Sequence, residues 1–208
     1  MKQKYMFNTI KIKWSSSFGL LLLLVATSIN AQADYEPGYI ILNNNDTIYG
    51  SIRDRTDYKL FDKIRFRQEN RKTKRYSAYD IKGYKKGIYS FESLWYKEES
   101  EFFRFDYLNR KGYGKKVFLK VLVKGELSCY AKEYVDDDNF YFDYFELFKQ
   151  NGENKFERAT QGMFGLKKKR LTRYFFDCPN LVNKINNNSI KSPLDVVTYY
   201  NACLLYTS

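Results

Sequence analysis

The chain has 208 residues, with 36 lysines and arginines against 24 aspartates and glutamates, a formal net charge of +12. It contains no histidine, which removes the Ser-His-Asp and Cys-His nucleophilic schemes and the commonest metal ligand. Tyrosine (20) and phenylalanine (17) are abundant and proline (3) is scarce, a composition that suits half-buried pleated surfaces and points to β structure.

Residues 1–33 read as a secretory signal peptide. Lys2, Lys4, Lys11 and Lys13 precede the apolar run from Phe18 to Val25, and Ala31-Gln32-Ala33 places small residues before a cut after Ala33. The run is well short of the ~20 apolar residues that a spanning helix needs, and no cysteine stands at the cut to carry a lipid. Removing the leader takes four lysines and no acids, so the remaining 175 residues keep a charge of +8 and suffice for one domain. The expected location is the periplasm, the outer-membrane surface or the medium. A charge of this sign favours anionic partners, which for an exported protein means an acidic glycan, lipopolysaccharide or a membrane surface, with nucleic acid set aside.

Tyr39 to Asn43 and Asp46 to Ile52 flank Asn44-Asn45, and asparagine tolerates the positive φ of a tight hairpin. With that pair as the loop, Ile41 faces Ile48 and Ile40 faces Tyr49, so both faces are apolar and the hairpin belongs inside the sheet. Lys63-Ile64-Arg65-Phe66-Arg67 alternates cleanly, and Arg71 to Tyr76 is its returning strand. Tyr79–Tyr84, Gly87–Phe91 and Glu101–Leu108 follow as strands. Lys116–Val123 and Leu127–Lys132 turn at Lys124-Gly125-Glu126, and Asn139–Phe148 and Lys155–Thr160 turn at Asn151-Gly152-Glu153.

Beyond Phe164 the period becomes helical. Leu166, Leu171, Tyr174 and Phe175 share a side opposite Lys167-Lys168-Lys169-Arg170. Asp177 is placed to cap a helix that begins at Cys178-Pro179 and presents Leu181, Val182 and Ile185. Ser192 precedes a third helix through Leu194–Tyr200. The expected fold is therefore mainly β, an antiparallel meander, sandwich or barrel, with a small helical C-terminal portion. A β-rich body spans 34–165, and 166–202 forms the helical part of the same domain. The six residues 203–208 are what TGTCTCTTATACACATCT encodes, a string that resembles a transposon end used in sequencing libraries, and they read as an adapter remnant after a natural chain cut near Ala202. Without Cys203, Cys129 and Cys178 remain. An oxidising compartment permits a disulfide between them, and two separate buried thiols are the other reading.

Three stretches together resemble a family of uncharacterised exported proteins of Bacteroidota-type bacteria. They are Pro37–Leu42 with Asp46–Ile52, Asp80-Ile81-Lys82-Gly83-Tyr84, and Tyr174-Phe175-Phe176-Asp177-Cys178-Pro179-Asn180-Leu181. The resemblance implies export to the cell envelope and carries no activity and no functional residue.

One constellation stands out for binding. Lys63, Arg65 and Arg67, with Arg71, Lys72, Lys74 and Arg75, form a candidate polyanion face, and Tyr76 and Tyr79 are candidate stacking surfaces beside it. An ordinary charged outer strand face is the plainer alternative. Asp136-Asp137-Asp138-Asn139 lacks the spacing of a calcium loop, since Phe140 fills its fifth place, and reads as a solvated turn. No catalytic constellation, cofactor or metal is expected. The favoured function is non-enzymatic binding or scaffolding at the envelope. The alternatives are a carboxylate-dependent glycan-active enzyme and an outer-membrane β-barrel.

Overall fold

The computed structural model describes residues 35–57, 59–102, 104–136, 138, 141–162 and 165–205. The expected signal peptide at 1–33 and the final residues 206–208 lie outside them. Among the described residues the strands, in chain order, are β1 (Glu36–Leu42), β2 (Thr47–Thr56), β3 (Lys59–Arg67), β4 (Lys74–Ser77), β5 (Ile81–Lys86) and β6 (Tyr89–Glu101). There follow β7 (Arg104–Leu108), β8 (Lys115–Val123), β9 (Leu127–Val135), β10 (Phe142–Gln150) and β11 (Lys155–Arg158), then the helices α1 (Lys168–Tyr174), α2 (Pro179–Asn186) and α3 (Pro193–Leu205). The fold is thus mainly β with its helices at the C-terminal end, and Glu36 onward is one compact unit.

The long strand β6 organises the sheet. It pairs with β5 through Tyr89–Glu92, with β8 through Ser90–Tyr96 and with β7 through Lys97–Glu101, every pairing antiparallel. The circuit β6-β7-β11-β10-β9-β8 returns to β6 and closes a six-stranded barrel, while β5-β1-β2-β3-β4 extends the sheet from the start of β6. Because β6 meets β7 and β8 at different levels, the barrel closes with the stagger that such closure requires.

Alternation along β6 and β8 feeds two cores at once. Phe91 and Phe118 face the sheet half and join Ile40, Ile52, Ile64, Phe66, Ile81 and Tyr84. Leu94 and Tyr96, with Val117, Leu119 and Val121, face the barrel interior, which Tyr107, Tyr130, Leu147 and Phe156 fill. A third core lies outside the barrel, where Leu127, Cys129 and Phe148 take up Leu171, Phe175, Leu181, Ile185, Val196 and Val197 from the helices. This two-sided burial explains why β9 reads as a continuous run and not as an alternation.

Several local expectations need correction. The first hairpin has a three-residue loop: Asn45 N donates to Leu42 O (3.0 Å), Leu42 N donates to Asp46 O (2.8 Å), and Asn45 takes φ +74°. The register therefore moves by one, to Ile40↔Ile48 and Tyr39↔Tyr49. A one-residue slip exchanges the faces, so Ile40 is buried whereas Tyr39 and Tyr49 meet edge to face on the other side, 5.6 Å apart. The hairpin does lie inside the sheet, between β3 and β5. Glu101–Leu108 is not one strand, because the chain turns at Phe102, φ +41° and almost fully exposed.

The helices differ from expectation at their caps. Cys178 is the N-cap of α2 with no side-chain hydrogen bond, and Asp177 instead accepts from the Tyr200 hydroxyl at 2.6 Å. Ser192 does cap α3, its Oγ accepting from Asp195 N at 3.1 Å. That helix continues past the expected boundary at 202 to Leu205. Asn201 fastens it to β9, accepting from Leu127 N (2.9 Å) and donating to Leu127 O (3.0 Å). Arg170 fastens α1 to the barrel, reaching Asp106 (2.9 Å), the Phe105 carbonyl (3.0 Å) and Glu157.

Gly38 sits where β1 is gripped from both sides, opposite Gly50 on β2 and Lys86 on β5. A Cβ there would run into the carbonyl oxygen of Lys85. Gly38→Ala is expected to lower stability by about 1–3 kcal/mol, read as a shift of the urea unfolding midpoint. An unchanged midpoint would show that β1 and β5 do not approach this closely.

Candidate functional site

Strand β3 places Ile64 and Phe66 in the core and turns Lys63, Arg65 and Arg67 outward, as the sequence alternation requires. Cross-strand register then adds a partner that periodicity alone did not reveal. Arg65 pairs with Arg53 on β2 and with Arg75 on β4, so three guanidinium groups form one row across three strands. Like charges directly opposite one another destabilise a sheet. Phe61 lies beneath part of this row, with the Arg65 and Arg53 guanidinium carbons 5.0 and 5.7 Å from its ring centroid. Neither Arg65 nor Arg75 forms an ion pair among the described residues.

The other predicted cations divide. Arg67, Arg71 and Lys72 come together with the carboxylate Glu69 and with Gly50, Ser51 and Gln68 around an open hollow of about 790 Å³ at the β3–β4 turn, where Arg71 also donates to the Gln68 side chain (3.3 Å). Lys74 stands opposite Phe66 and so belongs to the other face of the sheet, which separates it from the row. The expected stacking residues are also placed elsewhere. Tyr76 turns inward onto Phe66, and Tyr79 packs on Trp95 at 5.7 Å while its hydroxyl accepts from Lys116 N at 3.2 Å. The ring beside the row is Phe61, and it is covered by the Arg65 and Arg53 guanidinium groups.

Behind the row, the inner face holds a buried ion network. A bulge lets β3 run from Arg65 back to Leu60 while β2 advances only from Arg53 to Arg55. Bulges re-aim side chains, and here Arg55 joins Asp54 on the inner side. Asp54, 3% exposed, accepts from Lys86 (2.9 Å), the Tyr84 hydroxyl (3.0 Å) and Arg55 (3.1 Å). Arg55 reaches across to Glu133 on β9 in a two-pronged contact of 2.9 and 3.2 Å. Lys86 also meets Glu36 at 3.2 Å. This network ties β1, β2 and β5 to barrel strand β9, so it fixes the curl of the sheet that carries the arginine row. Burial would raise the Asp54 carboxyl, but the hydrogen bonds and charges of Arg55 and Lys86 outweigh it and hold the group below its ordinary value. The same burial, reinforced by Asp54, pushes the Tyr84 hydroxyl well up.

A second group of carboxylates lies at the other end of the molecule. Glu99, Asp106 and Glu157 share a hollow of about 420 Å³ with Arg170. Burial pushes the Glu157 carboxyl up, and the Arg170 charge offsets only part of that. Since Arg170 binds both Asp106 and Glu157, these carboxylates clamp α1 in place. In the acidic turn, Asp136 accepts from Asp138 N at 2.9 Å, and Asp137, Asn139 and Phe140 lie outside the described residues.

No disulfide joins Cys129, Cys178 and Cys203. Cys129 and Cys178 are both buried in the core beneath the helices, but the permitted disulfide between them is not formed, and the Cys178 sulfur lies 3.1 Å from that of Cys203 instead. Burial pushes the Cys129 thiol up to about 12, so it remains a protonated core group.

The network makes a prediction with a definite sign. The folded-state carboxyl of Asp54 is depressed, so its stabilising contribution is complete above its unfolded value, near pH 4, and is lost as pH falls through the lower folded value. Asp54→Asn is expected to cost about 3 kcal/mol at pH 7. The gap from the unsubstituted protein should narrow below about pH 4. Urea unfolding at both pH values checks this, and an equal gap in acid would contradict it.

Comparison of the chain with protein-family models, with curated proteins and with solved structures finds no match.

Proposed function

We propose that this is an exported cell-envelope protein with a binding or scaffolding role, and that the outer face of β2, β3 and β4 binds an anionic glycan or lipid head group of the envelope. The leader pattern of Lys2–Lys13, Phe18–Val25 and Ala31-Gln32-Ala33 supports export. The observation that carries the binding reading is the in-register row Arg53–Arg65–Arg75, flanked by Lys63 and Arg67. A sheet that sets like charges opposite one another gains from an anion laid across them, and guanidinium forks suit sulfate, phosphate and carboxylate.

Two other readings have less support. A transmembrane barrel faces apolar side chains outward and polar ones inward. Here the barrel interior is filled by Tyr107, Tyr130, Leu147 and Phe156, and helices cover the outer side of β9 and β10. A carboxylate-dependent glycan-active enzyme needs two carboxylates free to act on one bond, whereas Asp106 and Glu157 are held on Arg170.

The test is salt elution of the purified protein from immobilised heparin, a sulfated polysaccharide, with the variant Arg65→Glu/Arg75→Glu. Both side chains lie on the outer face, and the two substitutions again set like charges opposite one another, so the variant should fold with its unfolding midpoint little changed. Its affinity should fall about tenfold, equivalent to about 1.4 kcal/mol. Lys74→Glu, on the opposite face, should change elution much less. Equal elution of the double variant and the unsubstituted protein would remove the basis of the proposal.

A further inference from the structure

A separate cleft of about 540 Å³ opens between the inner face of the sheet half and the barrel wall. This is within the usual size range of small-molecule sites. Its floor is aromatic: Tyr84 stacks on Phe91 at 4.5 Å, and Phe118 meets Tyr84 edge-on at 5.0 Å. Its walls are cationic, with Lys115 and Lys116 on β8 and Lys132 on β9, and Lys63 and Phe61 from the edge of the arginine-row face complete its rim.

The charges in this cleft do not cancel. Asp54 is taken by Lys86 and Arg55, and Glu133 by Arg55 in its two-pronged contact with Lys120 3.9 Å away. Asp62, at the exposed rim, is the other lining carboxylate. Lys132 is half-buried and forms no ion pair among the described residues. Its ammonium donates to the Glu133 carbonyl oxygen at 3.2 Å and lies 5.8 Å from the centre of the Tyr96 ring. Burial is the main influence on this amine and Lys115 adds to it, while Glu133 and Glu98 offset only part, so Lys132 sits below the usual lysine range. A desolvated cation without a carboxylate is costly unless something neutralises it.

We infer that this cleft binds a small amphipathic anion, an aromatic or otherwise apolar body carrying one phosphate or carboxylate. The head group meets Lys132, with Lys115 and Lys116 beside it, and the body lies on the half-buried Phe118, which covers the buried Tyr84–Phe91 pair. The site shares Phe61 and Lys63 with the edge of the arginine-row face, but Arg53, Arg65 and Arg75 are not among its lining residues. It supplies affinity for a discrete small molecule, which a flat polyanion surface does not.

Calorimetric titration of the whole protein with phenyl phosphate tests this, with inorganic phosphate and phenol as separate arms. Saturable binding of phenyl phosphate is expected, with each half-ligand at least about tenfold weaker. Lys132→Met should lose about tenfold or more in affinity while unfolding at the same or a higher temperature, because it removes a half-buried charge that forms no ion pair among the described residues. Lys116→Gln keeps the test decisive if Lys132→Met does not fold, and should weaken binding a few-fold. Arg65→Glu/Arg75→Glu should leave phenyl phosphate binding unchanged, which separates this site from the sheet face. The inference fails if phenyl phosphate does not saturate, if inorganic phosphate binds equally well, or if binding survives Lys132→Met and is lost only in the sheet-face variant.

Discussion

The architecture depends on one constraint, that β6 and β8 form a single wall between two apolar cores. Successive side chains on a strand point to opposite faces, so Phe91 and Phe118 belong to the sheet core whereas Leu94, Tyr96, Leu119 and Val121 belong to the barrel. No residue of the paired stretch can shift by one place without exchanging the contents of both cores. Everything else is positioned relative to this wall. The barrel closes on one side of it, the sheet half curls on the other, and the Arg55–Glu133 contact joins the free end of the curl to β9.

The same constraint explains why a repulsive surface feature is tolerated. Arg53, Arg65 and Arg75 are forced into register because Ile52 on β2, Ile64 and Phe66 on β3 and Tyr76 on β4 turn to the other side of the sheet. Core burial, at ~1.5–3 kcal/mol for each large side chain, exceeds the few tenths of a kcal/mol at stake in exposed charge pairs. The row persists because the core dictates it.

Much of the fold was legible locally. The alternation in Lys63–Arg67, the Lys124-Gly125-Glu126 and Asn151-Gly152-Glu153 turns, and the Ser192 cap all report short-range chemistry, and each is found where expected. What failed depended on partners distant in sequence. Arg53 joins the arginine row only through its pairing with Arg65, and Lys74 leaves it only through its pairing with Phe66. Tyr76 and Tyr79 have the composition of stacking residues, but their direction is decided by Phe66 and Trp95. The hairpin slip came from a choice between two and three loop residues, which Asn43-Asn44-Asn45 leaves open until Asn45 takes the left-handed position. The lysine-lined cleft joins β3, β8 and β9, and no local pattern brings those strands together.

The central claim is that the outer face of β2, β3 and β4 is where the protein meets its anionic partner. Amide hydrogen exchange with and without a short heparin oligosaccharide tests it most directly, because it reads position along the chain independently of any substitution. The account predicts slower exchange in Thr47–Thr56, Lys59–Arg67 and Lys74–Ser77, with β10, β11 and the helices unchanged. Protection confined to the helical end or spread evenly over the barrel would contradict it.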